Sequence, residues 1–204
     1  PDGAMAISRS LHELTIHMLF LITYKDNEML IRRYFDYSEI IIYKELRALK
    51  KVNEEMGKIF ERKDEFEAIK KRRSILINKY GESFGRDHGW AFCIDGVSNF
   101  HDMEKKVGGG ALATFYQMGC NAIHSNSQTN HYSLGSAEEF GVILSGPSLT
   151  GLEFPARFAL TSLSAIISGL TVCYKHEKSG LNEIIIQVLN EINQIAENNN
   201  KGTL

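Results

Sequence analysis

A predicted helix at about residues 111–126 carries several side chains that could do acid–base chemistry. Tyr116, Cys120 and His124 follow one another at intervals of four residues, and Asn121 and Ser125 flank this stripe. His124 lies near the end of the helix and precedes a polar stretch, so the helix dipole favours its protonated form and a role in proton transfer. A structural histidine, satisfied by its neighbours, is the alternative interpretation.

Charged residues in the first two predicted helices form a second group of candidates. Arg9 and Glu13 are four residues apart, a spacing that lets the two side chains pair on one helix face. This pair is either structural or part of a polar pocket, because a buried charge without a partner would cost several kcal/mol. In the second helix, Arg32, Arg33 and Asp36 either complete a network shared with the first helix or form an exposed helical ion pair that contributes little.

Other polar patterns favour structural roles. His124 and His131 lack a carboxylate or thiolate at a familiar ligand spacing, so we predict no metal site and no cofactor. Gly108-Gly109-Gly110 lacks the Lys-Ser/Thr of a Walker loop and is interpreted as a helix terminator. The basic run Lys70-Lys71-Arg72-Arg73 is interpreted as a solvated helix face, with phosphate contact as the alternative.

Length and composition limit the fold class and the compartment. The chain has 204 residues, of which 43% are hydrophobic, enough for one sizeable core. Its formal charge of -2 indicates no particular partner. The absence of proline between Pro1 and Pro147 favours an all-α protein. Cys93, Cys120 and Cys173 are an odd number at wide spacings, which predicts a reduced, cytoplasmic protein.

Apolar periodicity predicts a single-domain bundle of about six to seven helices over residues 6–198. Asn27, with Asp26 as the alternative, and Asn53 are expected to cap the second and third helices. The predicted helices cover about 6–24, 27–52, 53–79, 98–107, 111–126, 153–176 and 181–198. Between them we expect a long ordered loop at about 80–97 and an irregular or extended link at 141–151.

Both ends of the chain, and its two most apolar segments, have simple interpretations. Residues 1–5 are interpreted as a vector scar, 179–198 as the C-terminal helical segment and 199–204 as a frayed tail. The apolar segments 15–24 and 158–173 are shorter than a membrane span of roughly 20 residues. We therefore predict that both are core helices and that the protein does not associate with a membrane.

Several short motifs occur in a fixed order between about residues 8 and 135. They are Arg9 with Glu13, Arg33-Tyr34-Phe35-Asp36-Tyr37, Tyr43-Lys44, Lys79-Tyr80-Gly81 with Trp90, and Phe115-Tyr116 with His124-Ser125. In this combination the chain resembles a bacterial family catalogued as a domain of unknown function, number five-six-seven-seven. The resemblance implies an all-α fold and a cluster built from the first two helices and the Tyr116 helix. It implies no established reaction.

His124 also resembles the closing residue of the higher-eukaryote and prokaryote nucleotide-binding (HEPN) domains. Many of those domains are metal-independent ribonucleases of toxin and phage-defence systems, with an Arg five to seven residues before the His. Here those positions hold Gln117, Met118 and Gly119. Arg9 or Arg33 would therefore have to supply the cation from another helix.

Two functions follow as hypotheses. The first is a HEPN-like protein that binds RNA or a nucleotide and cleaves RNA. Its candidate catalytic residues are His124, Arg9 and Arg33, and its candidate binding residues are Glu13, Asp36, Tyr116, Asn121 and Ser125. The second is a non-enzymatic helical module for interaction or homodimerisation, in which the same polar cluster is structural.

Overall fold

The computed structural model describes residues 2–113, 116–117, 119–120, 136–137, 142–143, 153–173, 187, 190–191 and 194. Its helices are α1 (Asp2–Thr23), α2 (Glu28–Asp36), α3 (Ser38–Glu55), α4 (Lys63–Tyr80), α5 (Phe100–Lys106) and α6 (Glu153–Cys173). Two residue pairs, β1 (Ser136–Ala137) and β2 (Val142–Ile143), form a short antiparallel ladder. The all-α prediction is confirmed.

The chain divides into two compact units. The first combines Pro1–Thr23 with Glu104–Leu204, and the second is the continuous segment Tyr24–Met103. The interpretation of residues 6–198 as one domain stays a prediction. Residues 2–5, interpreted above as part of a vector scar, belong to α1, and Met5 is buried.

In the first unit, small polar side chains let α1 and α6 lie close together. The Ser8 hydroxyl donates to the carbonyl of Pro155 at 2.8 Å. The Thr15 hydroxyl donates to the carbonyl of Leu11 at 2.8 Å and also lies 3.3 Å from the carbonyl of Ser162. All three polar side chains are buried. Because hydroxyl groups of this size satisfy backbone acceptors without adding bulk, the two helices pack closely along a polar seam.

The segment Pro155–Cys173 of α6 is long and apolar enough to cross a membrane by length and composition alone. Its mean hydropathy is 1.5, and 17% of it is buried in the structure. The core helix of a soluble protein passes the same test. The expected core role applies to one face of α6, where Phe158, Ser162 and Ile166 are buried at intervals of four residues.

In the second unit, one predicted helix cap is confirmed and the other is wrong. The Asn27 side chain accepts a hydrogen bond from the backbone N–H of Leu30 at 3.0 Å and caps α2. Asn53 caps nothing, because α3 continues through it to Glu55. The ion pairs Lys50–Glu54 and Lys51–Glu55 span the last turns of α3 and support its continuation.

The expected single helix over 27–52 is divided at Tyr37, which lies between α2 and α3. Its backbone keeps helical angles, and its hydroxyl donates to the carbonyl of Arg86 at 2.6 Å. The predicted third helix begins at Lys63, ten residues later than expected. Between α3 and α4, Phe60 packs with Leu46, Phe66 and Ile69 as a small core of the helical hairpin.

The predicted irregular segment after α4 consists largely of two short 3₁₀ turns, Glu82–Gly85 and Gly89–Cys93. Phe84 and Trp90 are buried, so this segment contributes to the core of the second unit. A Cβ on Gly89 would lie 2.5 Å from the carbonyl oxygens of both Ser83 and Phe84. The backbone at Gly89 therefore lies so close to these carbonyls that only glycine fits at this position.

The glycine run after α5 ends that helix, as its sequence indicates. Gly108 has a φ of 75°, in the left-handed region that favours glycine directly after a helix. At Gly109 a Cβ would lie 2.7 Å from the Cδ1 atom of Ile16, so α1 passes close to this turn. The run is therefore structural at two of its positions.

Candidate functional site

A half-exposed polar cluster in the first unit brings Arg9, Glu13 and Tyr116 together. The Nη2 atom of Arg9 lies 2.8 Å from the Oε1 atom of Glu13 and donates to the Tyr116 hydroxyl at 3.4 Å. The Tyr116 hydroxyl in turn donates to the same Oε1 atom at 2.9 Å. The Arg9 and Glu13 side chains are 24% and 32% exposed. A solvent-borne ligand can therefore reach the cluster.

The electrostatics of this cluster favour a neutral phenol and a charged guanidinium. The pKa of Tyr116 is raised to about 12, chiefly by burial; Arg9 lowers this pKa and Glu13 raises it, and both effects are included in that value. The hydrogen bond with Tyr116, together with the charge of Glu13, raises the pKa of Arg9. Tyr116 therefore acts as a hydrogen-bond donor and acceptor at neutral pH, and not as a base.

Two features fix the position of Arg9. Its guanidinium carbon lies 5.3 Å from the ring centroid of Tyr116, in the range of a cation–π contact. A Cβ on Gly119 would lie 3.0 Å from the Cβ atom of Arg9, so the helical residues around Tyr116 approach α1 closely here. Within the described chain, the Nε atom of Arg9 is buried and has no hydrogen-bond partner.

Next to this cluster lies a buried pair that sequence reasoning missed. The Nε2 atom of His12 is 2.8 Å from the Oε1 atom of Glu104, and both side chains are almost completely shielded from solvent. The His12 ring packs near Phe158, with centroids 5.0 Å apart, and near Tyr116 at 5.7 Å. His12 lies between Ser8 and Thr15 on the buried face of α1, a spacing that could have revealed it.

In the second unit, Arg33 holds the irregular segment by its backbone. It is 5% exposed, and its Nη2, Nε and Nη1 atoms donate to the carbonyls of Gly89, Trp90 and Tyr80 at 2.7, 3.0 and 3.4 Å. Its guanidinium carbon lies 4.9 Å from the ring centroids of both Tyr80 and Phe84. Burial lowers the pKa of Arg33. These contacts are those of an arginine that joins α2 to the segment after α4.

Asp36 also forms its contacts with the end of α4. Its Oδ2 atom accepts hydrogen bonds from the Tyr80 hydroxyl at 2.6 Å and from the Nζ atom of Lys79 at 3.1 Å. Burial raises the pKa of Asp36, but these hydrogen bonds and the charges of Lys79 and Arg32 outweigh it, so the net pKa is lowered. Asp36 therefore remains ionised through the neutral range.

The predicted site residues divide among three places. Arg9, Glu13 and Tyr116 meet in the first unit, and Arg33 and Asp36 lie in the second. His124, Asn121 and Ser125 lie outside the residues that the structure describes. Their participation in one cluster with the others stays a prediction. Among the described side chains, no group of three or more His, Cys, Asp or Glu is arranged to hold a metal ion.

Comparisons with known proteins give a family for this chain. No curated protein matches it, and no solved structure matches it. Residues 1–141 match the family of unknown function DUF5677, and this stretch includes α1 to α5 and Tyr116. Since the match covers more than half of the 204 residues, the chain belongs to the family of unknown function DUF5677.

Proposed function

We propose that this protein binds RNA or a nucleotide, and that Arg9 contacts a phosphate. The observation that carries the proposal is the partly exposed Arg9 side chain, whose guanidinium lies above the Tyr116 ring. A guanidinium forms charge-assisted hydrogen bonds with phosphate oxygens, and an aromatic ring beside it can stack on a base. The pair offers both contacts that a single nucleotide requires.

Among the candidate arginines, Arg9 suits this role better than Arg33. The three nitrogens of the Arg33 guanidinium donate to backbone carbonyls, and its side chain is buried. Contact with a phosphate would remove Arg33 from those carbonyls and expose them unpaired, which costs about 1–3 kcal/mol for each buried group. Arg9 is more exposed, and a carboxylate that is itself partly exposed is its ionic partner.

A ribonuclease activity requires His124 in addition. In the predicted helix at 111–126, His124 comes eight residues after Tyr116, which is about two helical turns. We propose that its imidazole acts as a general acid or base toward the ribose 2′-hydroxyl or the leaving oxygen, while Arg9 stabilises charge on the phosphate. This mechanism uses no metal ion, so cleavage should persist in the presence of a chelator.

Binding is tested by fluorescence anisotropy with a labelled single-stranded RNA at fixed low salt. Arg9→Gln should weaken binding about tenfold or more, because a hydrogen bond to a charged group contributes roughly 1.5–3 kcal/mol. Arg62→Gln is the matched control, since Arg62 is an exposed arginine that pairs with Glu65 in the second unit. Equal RNA affinity of Arg9→Gln and the wild type would contradict the role of Arg9.

Cleavage is tested separately with the same RNA, with and without a chelator. His124→Ala should abolish cleavage while leaving the anisotropy signal of binding in place. A folded His124→Ala protein with full activity would exclude the proposed mechanism without excluding RNA binding. Cleavage that the chelator abolishes would also contradict it.

The alternative is a non-enzymatic helical module for interaction or dimerisation, and an exposed apolar stripe along α3 and its C-terminal capping residue favours it. Four residues of the stripe are 36% to 59% exposed, and their positions follow steps of seven, three and four, as in a coiled-coil seam. They are Ile42, Leu49, Val52 and Met56. In this alternative the stripe is the interaction surface, and the Arg9 cluster has a structural role.

Light scattering at increasing protein concentration tests the dimer. For the dimer, Leu49→Glu should reduce the measured mass from two chains to one, since it places a charge in the apolar seam. Leu14→Glu, on an exposed apolar residue of α1, is the matched control. A monomeric wild type at all concentrations would remove the support for the dimer.

A further inference from the structure

The carboxylate of Glu13 occupies the position where an anionic ligand would be expected. Two donors converge on one of its oxygens, the Nη2 atom of Arg9 at 2.8 Å and the Tyr116 hydroxyl at 2.9 Å. A guanidinium and a phenol would bind a phosphate oxygen in the same way, with both donors directed at one anionic oxygen. Glu13 therefore resembles a bound phosphate in its contacts.

We propose that Glu13 is an internal competitor, which holds the Arg9 site closed until a phosphate group of RNA displaces it. This inference rests on the proposed RNA or nucleotide binding at Arg9. In the bound state a phosphate oxygen takes the place of the Glu13 Oε1 atom, and the released carboxylate turns toward solvent. Glu13 thereby sets a threshold that weak anions do not exceed.

Because the Arg9–Glu13 ion pair is partly exposed, its displacement costs little free energy. Arg9 and Glu13 are 24% and 32% exposed, so solvent still screens the pair, and ion pairs at a protein surface change an equilibrium constant by at most about fivefold. A phosphodiester that binds Arg9 with two parallel hydrogen bonds gains more than this pair loses. The exchange therefore favours a ligand with two well-placed oxygens.

The buried Nε atom of Arg9 points to the same conclusion. Glu13 pairs with the Nη2 atom, and within the described chain the neighbouring Nε donor has no hydrogen-bond partner. An oxyanion that binds the guanidinium from its side contacts Nε and Nη2 together and would satisfy this donor. Glu13 thus pairs with only one of these two donors of Arg9, whereas a ligand with two oxygens would accept hydrogen bonds from both.

The test compares the affinity of labelled single-stranded RNA for four proteins at one pH and one salt concentration. Glu13→Gln removes the charge of the competitor and keeps its size, so RNA should bind about three- to fivefold more tightly than to the wild type. Glu65→Gln is the matched control, since it removes the same charge from the exposed Arg62–Glu65 pair, and it should leave affinity within about twofold. The double variant Arg9→Gln/Glu13→Gln should not show the increase in RNA affinity, because the proposed phosphate contact is absent.

Each result separates this inference from the proposed function. If the wild type binds RNA through Arg9 and Glu13→Gln binds no more tightly, Glu13 is not a competitor and the proposed function stands. If neither protein binds RNA, both proposals are overturned. An equal gain in Glu65→Gln would assign the effect to total charge and would also contradict the inference. Glu13→Ala, checked for folding by circular dichroism, provides the same comparison should Glu13→Gln fail to fold.

Discussion

The Nε2 atom of His12 and the Oε1 atom of Glu104 lie 2.8 Å apart with both side chains shielded from solvent. Glu104→Leu replaces the glutamate with an apolar side chain of similar size and so removes the carboxylate that pairs with His12. We expect it to lower the free energy of unfolding by about 3 kcal/mol, because a buried polar group then loses a partner. Urea denaturation of the purified variant measures this change.

The double variant His12→Leu/Glu104→Leu is the control for that pair. Replacing both partners removes the desolvation cost of each, so the double variant should be more stable than Glu104→Leu alone. An unfolding free energy of Glu104→Leu equal to that of the wild type would show that the pair does not contribute to stability.

Arg33 provides the second prediction, since it joins α2 to the segment after α4 through three carbonyls. Arg33→Ala should lower the free energy of unfolding by about 3 kcal/mol, because it leaves those buried acceptors without their donors. Arg33→Lys should restore only part of this loss, since an ammonium group cannot reproduce the planar fork.

Arg32→Ala is the matched control for Arg33, because Arg32 is the exposed neighbour on the same helix. It should change the free energy of unfolding by no more than about 0.5 kcal/mol. Chemical denaturation of Arg33→Ala, Arg33→Lys and Arg32→Ala under one buffer condition checks the predicted order of their unfolding free energies. Full stability of Arg33→Ala would argue against a structural role and would make Arg33 available for a ligand.

The hydrogen bonds of Asp36 should make the stability of the protein depend on pH in the acid range. The folded state lowers the pKa of Asp36, so its contribution to stability is present above the unfolded pKa of about 4 and is lost as the pH falls through the folded value. The difference in stability between the wild type and Asp36→Asn should therefore be constant above about pH 5 and shrink toward pH 3. Thermal melting across this pH range measures it.

Tyr80→Phe tests the cause of the Asp36 effect. It removes the hydroxyl that donates to Asp36 at 2.6 Å. In the Tyr80→Phe protein, Asp36→Asn should therefore change the stability at neutral pH by less than it does in the wild type. A stability difference between the wild type and Asp36→Asn that is equal at pH 3 and pH 7 would contradict the lowered pKa.

Gly89→Ala should destabilise the second unit. The added Cβ would lie 2.5 Å from the carbonyl oxygens of Ser83 and Phe84, which are backbone atoms and cannot turn away. We expect a loss of about 1–3 kcal/mol in the free energy of unfolding. Gly110→Ala is the control, because a Cβ there meets nothing within 4 Å. Equal melting temperatures of the two variants would contradict this packing.

The sequence was sufficient to predict the elements that depend on local pattern. The all-α class follows from apolar periodicity, the Asn27 cap from its position before α2, and the Arg9–Glu13 contact from a spacing of four residues. Each of these depends on residues within one or two turns of one another. Local spacing is therefore a sufficient guide to them.

Local spacing was misleading at Asn53, which has the same capping propensity as Asn27 although α3 continues through it to Glu55. Features that depend on distant residues could not be predicted from spacing at all. The partner of His12 lies 92 residues away at Glu104, and the acceptors of Arg33 are backbone carbonyls, which carry no side-chain signature. Only the folded chain brings these groups together.

The Ser8 hydroxyl bonds to the carbonyl of Pro155 across 147 residues, and this separation has a consequence during synthesis on the ribosome. At about 5–20 residues per second, roughly 7–30 seconds pass between the synthesis of these two residues. The contiguous segment Tyr24–Met103 emerges completely within that interval, whereas α1 still lacks α6. Nascent α1 therefore lacks the groups of α6 that Ser8, His12 and Thr15 contact in the folded protein, and we expect a chaperone to shield this segment.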